Sequence, residues 1–346
     1  MKPGVYFGMP DSDYRDIPAV SQSELKAFAK NPRAWKYLLS PDASHFQWGH
    51  LVETLILQPG EFAKRYVVLD QARKEQLTEE DNAGVKVEFS KRLGLYQGWK
   101  KRQIAEGKDP EATLTEAIKA DIVEGTIRNQ AKDFSRSSPA FVKWAAHEEL
   151  QGRTIIDATQ NPDMRGQTVN LEDAQLAADR CREEPNIGAV LDIGGYAQVA
   201  CVWVDPDTEL LCKCLIDWLP MGLSSMMDIK TSRDVCNVSQ SRAPWKFMVH
   251  ARELGHHWQA GSYLYGYAQA LEQSGQDPDP RSSWLFGVSG NVRPFPPAAY
   301  QLPKQDIERG LQEYLEALKL WKRCHETGDF PGLTDDGFVE LPSMYK

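Results

Sequence analysis

Asp217 and Asp228 stand eleven residues apart in a chain of 346, and Lys230 follows the second aspartate by two positions. Acids and a lysine so spaced suit phosphodiester hydrolysis. That reaction needs an activated water, a shield for charge developing on the phosphoryl oxygens and stabilisation of the leaving oxygen, and divalent metals held by carboxylates meet all three needs. Magnesium, with manganese as its substitute, takes hard oxygen ligands in near-octahedral geometry and keeps several waters. Two aspartates at neighbouring strand ends and one further acid from a helix are enough to hold it. Lys230 is placed to orient the attacking water or to stabilise phosphoryl charge. An Asp-Ile-Lys triplet alone is equally an ordinary solvated strand edge, so the surrounding elements must carry the assignment.

Those elements read as strand, turn, strand. Ala197 to Val204 is rich in β-formers, Asp205-Pro206-Asp207-Thr208 is a turn, and Leu210 to Trp218 is a second strand. On the second strand Leu210, Cys212, Cys214 and Ile216 share one face, while Leu211, Lys213, Leu215 and Asp217 share the other. Leu219-Pro220-Met221-Gly222 turns the chain into a third strand, Met226 to Thr231, which places Asp228 and Lys230 on one face.

A candidate for the further acid lies far upstream, on a stretch that taken alone reads equally as an amphipathic helix with a surface glutamate. Val52, Leu55 and Ile56 form the apolar stripe of a helix within 46–59, on which Gly49 and Glu53 share a face. The glycine admits a close neighbour and leaves Glu53 near the core. Downstream, Ala243 to Leu254 and His256 to Gln273 read as helices, the second carrying Gln259, Tyr263 and Tyr267 on one face. Arg281 to Ser289 returns as a strand, and Pro294 to Pro303 reads as a crossing loop. Lys304 to Thr327 is a long helix with Leu311, Tyr314, Leu315, Leu318 and Trp321 inward.

At the other end, after a loose start, Ser21 and Glu24 form a capping box for a helix that Asn31-Pro32 breaks, with a second helix at 35–39. Residues 70–150 are polar and helix-prone, and Leu171 to Glu184 is a further helix. The expectation is an α/β fold over residues 1–346, one domain with a helical insertion at 70–150.

Composition narrows the class. The apolar fraction of 41% supports a real core, and no apolar run reaches the roughly 18 to 20 residues that span a bilayer. The opening Met1-Lys2-Pro3-Gly4 lacks a signal-peptide core, so a cytoplasmic protein without a membrane partner is expected. A net charge of −9 argues against coating nucleic acid by bulk electrostatics and leaves room for a local basic groove. Six cysteines, at 181, 201, 212, 214, 236 and 324, form no CxxC pair, so neither zinc nor an iron–sulfur cluster is expected. His256 and His257 point about 100° apart on a helix and so make a poor metal pair. His256 reads as a surface residue, and Trp258, Tyr265 and Tyr267 as packing residues.

In combination these stretches resemble a PD-(D/E)XK nuclease, and more narrowly the exodeoxyribonuclease VIII (RecE-type) group of phage recombination exonucleases. The matching features are Ser21-x-Ser23-x-Leu25-Lys26 with Asn31-Pro32, Gly49 to Pro59, Cys212 to Asp217, Asp228-Ile229-Lys230-Thr231, and His257-Trp258-Gln259 with Tyr263. Pro296 to Tyr300 and the helix ending in Thr327 to Gly332 extend the similarity. The resemblance implies a restriction-endonuclease-like core, a central mixed sheet flanked by helices. It makes Asp217, Asp228 and the Ile229 carbonyl metal ligands and Lys230 the catalytic lysine. Gln259 and Tyr263 match a QxxxY motif beside the active site and the DNA, and His257 becomes a polar contact on that flank. Two positions depart from the group. Glu53 stands where a helical histidine is usual, similar to lambda exonuclease in using an acid, and Gln198 replaces a common glutamate. With Glu53, Asp217 and Asp228 present, the glutamate that Gln198 replaces reads as dispensable.

The resemblance implies a magnesium-dependent exonuclease of a phage or prophage type. It would resect duplex DNA ends processively from 5′ to 3′, supply a single-strand annealing protein and assemble as a ring of identical subunits. The alternatives are a catalytically weak DNA-binding or scaffold member, and an endonuclease of the same fold.

Overall fold

The computed structural model describes residues 1–35, 47–109, 134–158, 171–235, 243–332 and 335. The predicted helix at 35–39 and Cys236 therefore fall largely or wholly outside the described residues, as do residues 110–133 of the insertion. In chain order the elements are β1 (Gly4–Tyr6), α1 (Asp11–Arg15), β2 (Val20–Ser21), α2 (Gln22–Lys30), α3 (Pro32–Trp35), α4 (Gln47–Leu57), α5 (Phe62–Arg65), β3 (Tyr66–Leu69) and α6 (Gln71–Ala105). There follow α7 (Pro139–Leu150), β4 (Thr154–Asp157), α8 (Leu171–Glu183), α9 (Pro185–Asp192), β5 (Gly195–Val204), β6 (Leu211–Pro220) and β7 (Ser225–Ser232). The chain continues through α10 (Ala243–Glu253), α11 (His256–Ser274), β8 (Ser283–Gly290), β9 (Pro297–Gln301) and α12 (Lys304–Thr327). Two compact units emerge, one from 1–59 with 173–346 and one from 60–172. Among the described residues no helix is long and apolar enough to cross a membrane.

In the first unit a seven-stranded mixed sheet runs in the order β1-β5-β6-β7-β8-β9, with β2 joined to β6. Pairs β5–β6, β6–β7 and β8–β9 are antiparallel, whereas β7–β8 and β2–β6 are parallel. The alternating pattern of β6 works as expected, since Cys212, Cys214 and Ile216 are almost wholly buried in the core with Trp203, Trp284 and Phe28. Burial pushes the Cys212 thiol up to about 12, so it serves as a small apolar group rather than a nucleophile. The five described cysteines are free.

Three elements depart from the sequence expectations. The start of the chain is not loose: β1 pairs with β5 and β2 with β6, in stretches of three and two residues too short to show a period. The stretch read as a crossing loop contains β9, an edge strand, where proline is tolerated because one side of the strand donates no ladder hydrogen bonds. His256 is buried against Phe286 rather than on the surface, because the turn at Gly255 starts α11 inside the core. Gly255 takes a left-handed φ of 67° there, a conformation that costs a residue without Cβ little.

Helix α11 carries Gln259 and Tyr263, and its seat is set by backbone proximity. A Cβ on Gly310 of α12 would lie 1.9 Å from the His257 carbonyl oxygen, and one on Gly261 would lie 2.4 Å from the Leu311 nitrogen. On the sheet side Gly266 rests on the Trp203 ring, where a Cβ would meet ring carbons at 2.5 Å. Helix α4 is held by buried Leu51, Val52, Leu55 and Ile56, and by the Arg182 guanidinium, which donates to the Ile56 carbonyl in its last turn.

The second unit holds a two-stranded parallel sheet of β3 and β4 with α6 and α7. Asp70 caps α6 by accepting from the Arg73 N–H at 2.8 Å, and Ser138 caps α7 through the Phe141 N–H at 3.3 Å. Leu69, Leu77 and Ile156 supply its buried apolar contacts.

Because the α11–α12 contact is backbone to backbone, neither side can yield by changing a rotamer. Gly310→Ala is expected to destabilise the folded chain by about 1–3 kcal/mol or more, read as a lower denaturant midpoint. An unchanged midpoint would contradict this account of how α11 is seated.

Candidate active site

Strands β6 and β7 share one paired position, Trp218 with Met227, and then part. The earlier part of β6 is paired instead with β2, at Cys212 and Lys213. At the parting, Asp217 Oδ2 accepts from the Ile229 N–H at 3.0 Å, taking the place of a strand partner. The two aspartates predicted from their spacing are thereby brought side by side.

Asp228 is 1% exposed. Its Oδ1 accepts from the Gln259 amide of α11 at 2.6 Å, and its Oδ2 lies 2.6 Å from Lys230 Nζ. That oxygen has no other partner of good hydrogen-bond geometry, so the contact with Lys230 is chiefly an ion pair. Asp228 and Lys230 do share a face, as the strand period requires.

Glu53 reaches the same place from α4. It lies close enough to raise the Asp217 carboxyl, which burial first, then Glu53 and then Asp228, push well above the usual carboxylate range. Burial pulls the Lys230 ammonium down, but Asp228, Asp217 and Glu53 outweigh it and hold Lys230 above an ordinary lysine. His50, one turn before Glu53, is largely exposed and stays 3.9 Å from Glu53 Oε2.

Gln198 is a residue for which sequence reasoning found no role of its own. The antiparallel register of β5 with β6 holds on both sides of it, from Ala197 with Trp218 to Val199 with Ile216, and the pair it would form with Asp217 is the gap. Its φ of 54° lies in the left-handed region, which costs a non-glycine residue on the order of 1–3 kcal/mol. In that conformation its side-chain amide donates to Glu53 Oε1. It thereby ties the third carboxylate to the sheet. No local signal announces this, since glutamine is not a residue that favours positive φ.

Tyr263 stands one turn beyond Gln259 on α11, edge-on to Trp284 at 5.7 Å between ring centroids. Burial, followed by Tyr14, Cys214, Asp217 and Asp228, raises its phenol, so it acts as a neutral hydroxyl near the acids. His257 is not brought to the cluster. Its Nε2 lies 3.0 Å from Glu313 Oε2 on α12, and Trp258 Nε1 donates to the same oxygen. His256, deeper still, is driven to about 2 by burial and by the positive charges of Lys230 and Lys26, so its ring is neutral.

The donors suit a hard divalent cation in type: three carboxylates and, from β7, the Ile229 carbonyl. Their mutual repulsion, visible in Asp217, is what a cation relieves. In the structure these oxygens face protein donors, Glu53 toward Gln198, Asp217 toward Ile229, and Asp228 toward Lys230 and Gln259. Among the described residues no three His, Cys, Asp or Glu side chains form a ready-made metal cage. A cation at Asp228 therefore competes with the Lys230 ammonium.

Comparison with known proteins gives three findings. The profile of a family described as a PDDEXK-like domain of unknown function (DUF3799) matches residues 140–336, more than half of the chain. No curated protein matches. Among solved structures, a candidate exonuclease from Eubacterium rectale is similar at 12% identity and a TM-score of 0.34, covering 64% of this chain and 82% of its own. A likeness that distant carries no argument about activity.

Glu313 gives the site's flank a pH signature. Burial alone would raise its carboxyl, but hydrogen bonds from Arg309, Trp258 and His257 hold it down at about 2. A carboxyl depressed in the folded state stabilises the protein above the unfolded value, and that stability is lost as pH falls toward the folded one. Glu313→Gln is thus expected to lower stability at neutral pH and to flatten its fall between about pH 4.3 and pH 2. Denaturant unfolding across that range is the check, and a variant with the wild-type acid limb would contradict it.

Proposed function

This chain belongs to the family of PDDEXK-like domains, and from that premise we propose that it is a metal-dependent deoxyribonuclease. The observation that carries the reading is convergence. Glu53 from α4, Asp217 from β6 and Asp228 from β7 meet with Lys230 at one strand junction, although Glu53 is more than 160 residues upstream.

Glu53, Asp217, Asp228 and the Ile229 carbonyl would hold magnesium, or manganese in its place. When bound, the metal supplies the Lewis acidity that phosphodiester hydrolysis needs. The chain's own residues do the rest. Lys230, the cation nearest the acids, donates to a phosphoryl oxygen and orients the attacking water. Gln259 fixes the rotamer of Asp228, and Gln198 fixes that of Glu53, so that both present a defined oxygen. Tyr263 offers a neutral hydroxyl to the sugar-phosphate backbone.

The finer reading rests on the sequence resemblance to the exodeoxyribonuclease VIII (RecE-type) group. It is processive 5′-to-3′ resection of duplex ends in a bacterial host carrying a phage or prophage, with a single-strand annealing protein as partner and a ring of identical subunits as the assembly. A second reading, a DNA-binding scaffold without hydrolysis, draws on the protein donors that already engage each carboxylate.

With magnesium, the purified chain is expected to shorten end-labelled duplex DNA and to spare closed circular DNA. Lys230→Met is expected to slow hydrolysis by about 10²–10³-fold, and Asp228→Asn to abolish it. Intact duplex under these conditions would favour the scaffold, and an Asp228→Asn variant as active as wild type would contradict the assignment of the site. Gln198→Ala is expected to raise the metal concentration needed for half-maximal hydrolysis by about 10–100-fold. An unchanged metal requirement would contradict a positioning role for Gln198.

A further inference from the structure

Next to the carboxylate cluster lies a cleft of about 960 Å³ between α2, α10, the start of α11, β9 and α12. Its floor is aromatic, with Phe247 and Tyr300 stacked at 4.9 Å and an interplanar angle of 21°. On its rim Trp245 is 65% exposed, an unusual position for the most costly side chain to leave in water.

The charge of the cleft runs against that of the chain. Lys26, Lys30, Arg252 and Arg309 line it against Glu253, Asp306 and Glu313, four cations to three carboxylates, whereas the whole chain carries −9. Of the carboxylates, Glu313 is already taken by Arg309 and His257. Lys30 and Arg252 are exposed and form no ion pair among the described residues. Phe286, which lines the cleft, is the β8 register partner of Asp228, and His257, also in the lining, stands two residues before Gln259 on α11. Lys26, whose ammonium donates to the Leu254 carbonyl at 2.8 Å, lines the same cleft.

We propose that this cleft binds a short run of single-stranded DNA leading to the carboxylate site, with bases on Trp245 and the aromatic floor and phosphates on Lys26, Lys30 and Arg252. An aromatic surface edged with cations matches an unpaired strand, which offers free base faces and phosphates together. A duplex keeps its base faces in its own stack. The choice of DNA rests on the nuclease reading above; the binding itself is tested without catalysis.

The test is fluorescence anisotropy of a labelled thymidine oligonucleotide with the full chain in a metal chelator. Wild type is expected to bind with an affinity that falls as salt rises. Trp245→Ala is expected to weaken binding about tenfold, and Trp245→Phe to restore most of it. Lys30→Glu with Arg252→Glu is expected to weaken binding and to flatten the salt dependence. All of these side chains are exposed, so the fold tolerates the changes. Affinity untouched by both sets of variants would overturn the proposal, as would equal losses for a duplex of the same length. A chain that cuts DNA with these variants binding as wild type sinks the cleft and leaves the nuclease. A chain inert toward DNA that loses oligonucleotide binding in the variants does the reverse.

Discussion

Repulsion among three carboxylates at the parting of β6 and β7 is the constraint on which the site depends. Burial first, and then the charges of Glu53 and Asp228, raise the Asp217 carboxyl well above the usual carboxylate range. Such a group survives in a folded protein only if cations or hydrogen-bond donors offset it. Here the offset comes from Lys230, two residues from Asp228 on the same strand face, and from amides on either side. The strand junction creates the crowding and also supplies the relief.

Several elements of the first unit serve to place these groups. Helix α4 delivers Glu53, and the strained backbone at Gln198 turns an amide to meet it. Helix α11 delivers Gln259, and its height above the sheet is set by glycines that admit α12 on one side and Trp203 on the other. Strand β2 pairs with β6 where β7 has left it, so the junction opens without leaving the buried part of β6 unpaired. A protein that brought a divalent cation to a phosphodiester would need strongly charged donors held on a rigid frame of this kind.

How far the sequence reaches depends on whether a feature has a period. The buried file Cys212, Cys214 and Ile216, the shared face of Asp228 and Lys230, and the bounds of α12 at Lys304 and Thr327 follow from periods of two and 3.6 residues. The link from Glu53 to the strands has no period, and only the likeness to known nucleases suggested it. The contact of Gln198 with Glu53 was not legible because it lies in a backbone angle and a partner 145 residues away. The partner of His257, Glu313 on α12, has no sequence signal either, because it lies 56 residues away on another helix.

The central claim is that the carboxylate cluster is a divalent-cation site. Calorimetric titration of magnesium into the purified chain tests it most directly, with Asp217→Asn and Glu53→Gln variants in parallel. The account predicts saturable binding by wild type that both variants weaken, since each removes one donor and part of the repulsion that draws the cation in. Absence of binding by wild type, or binding that both variants leave unchanged, would contradict it.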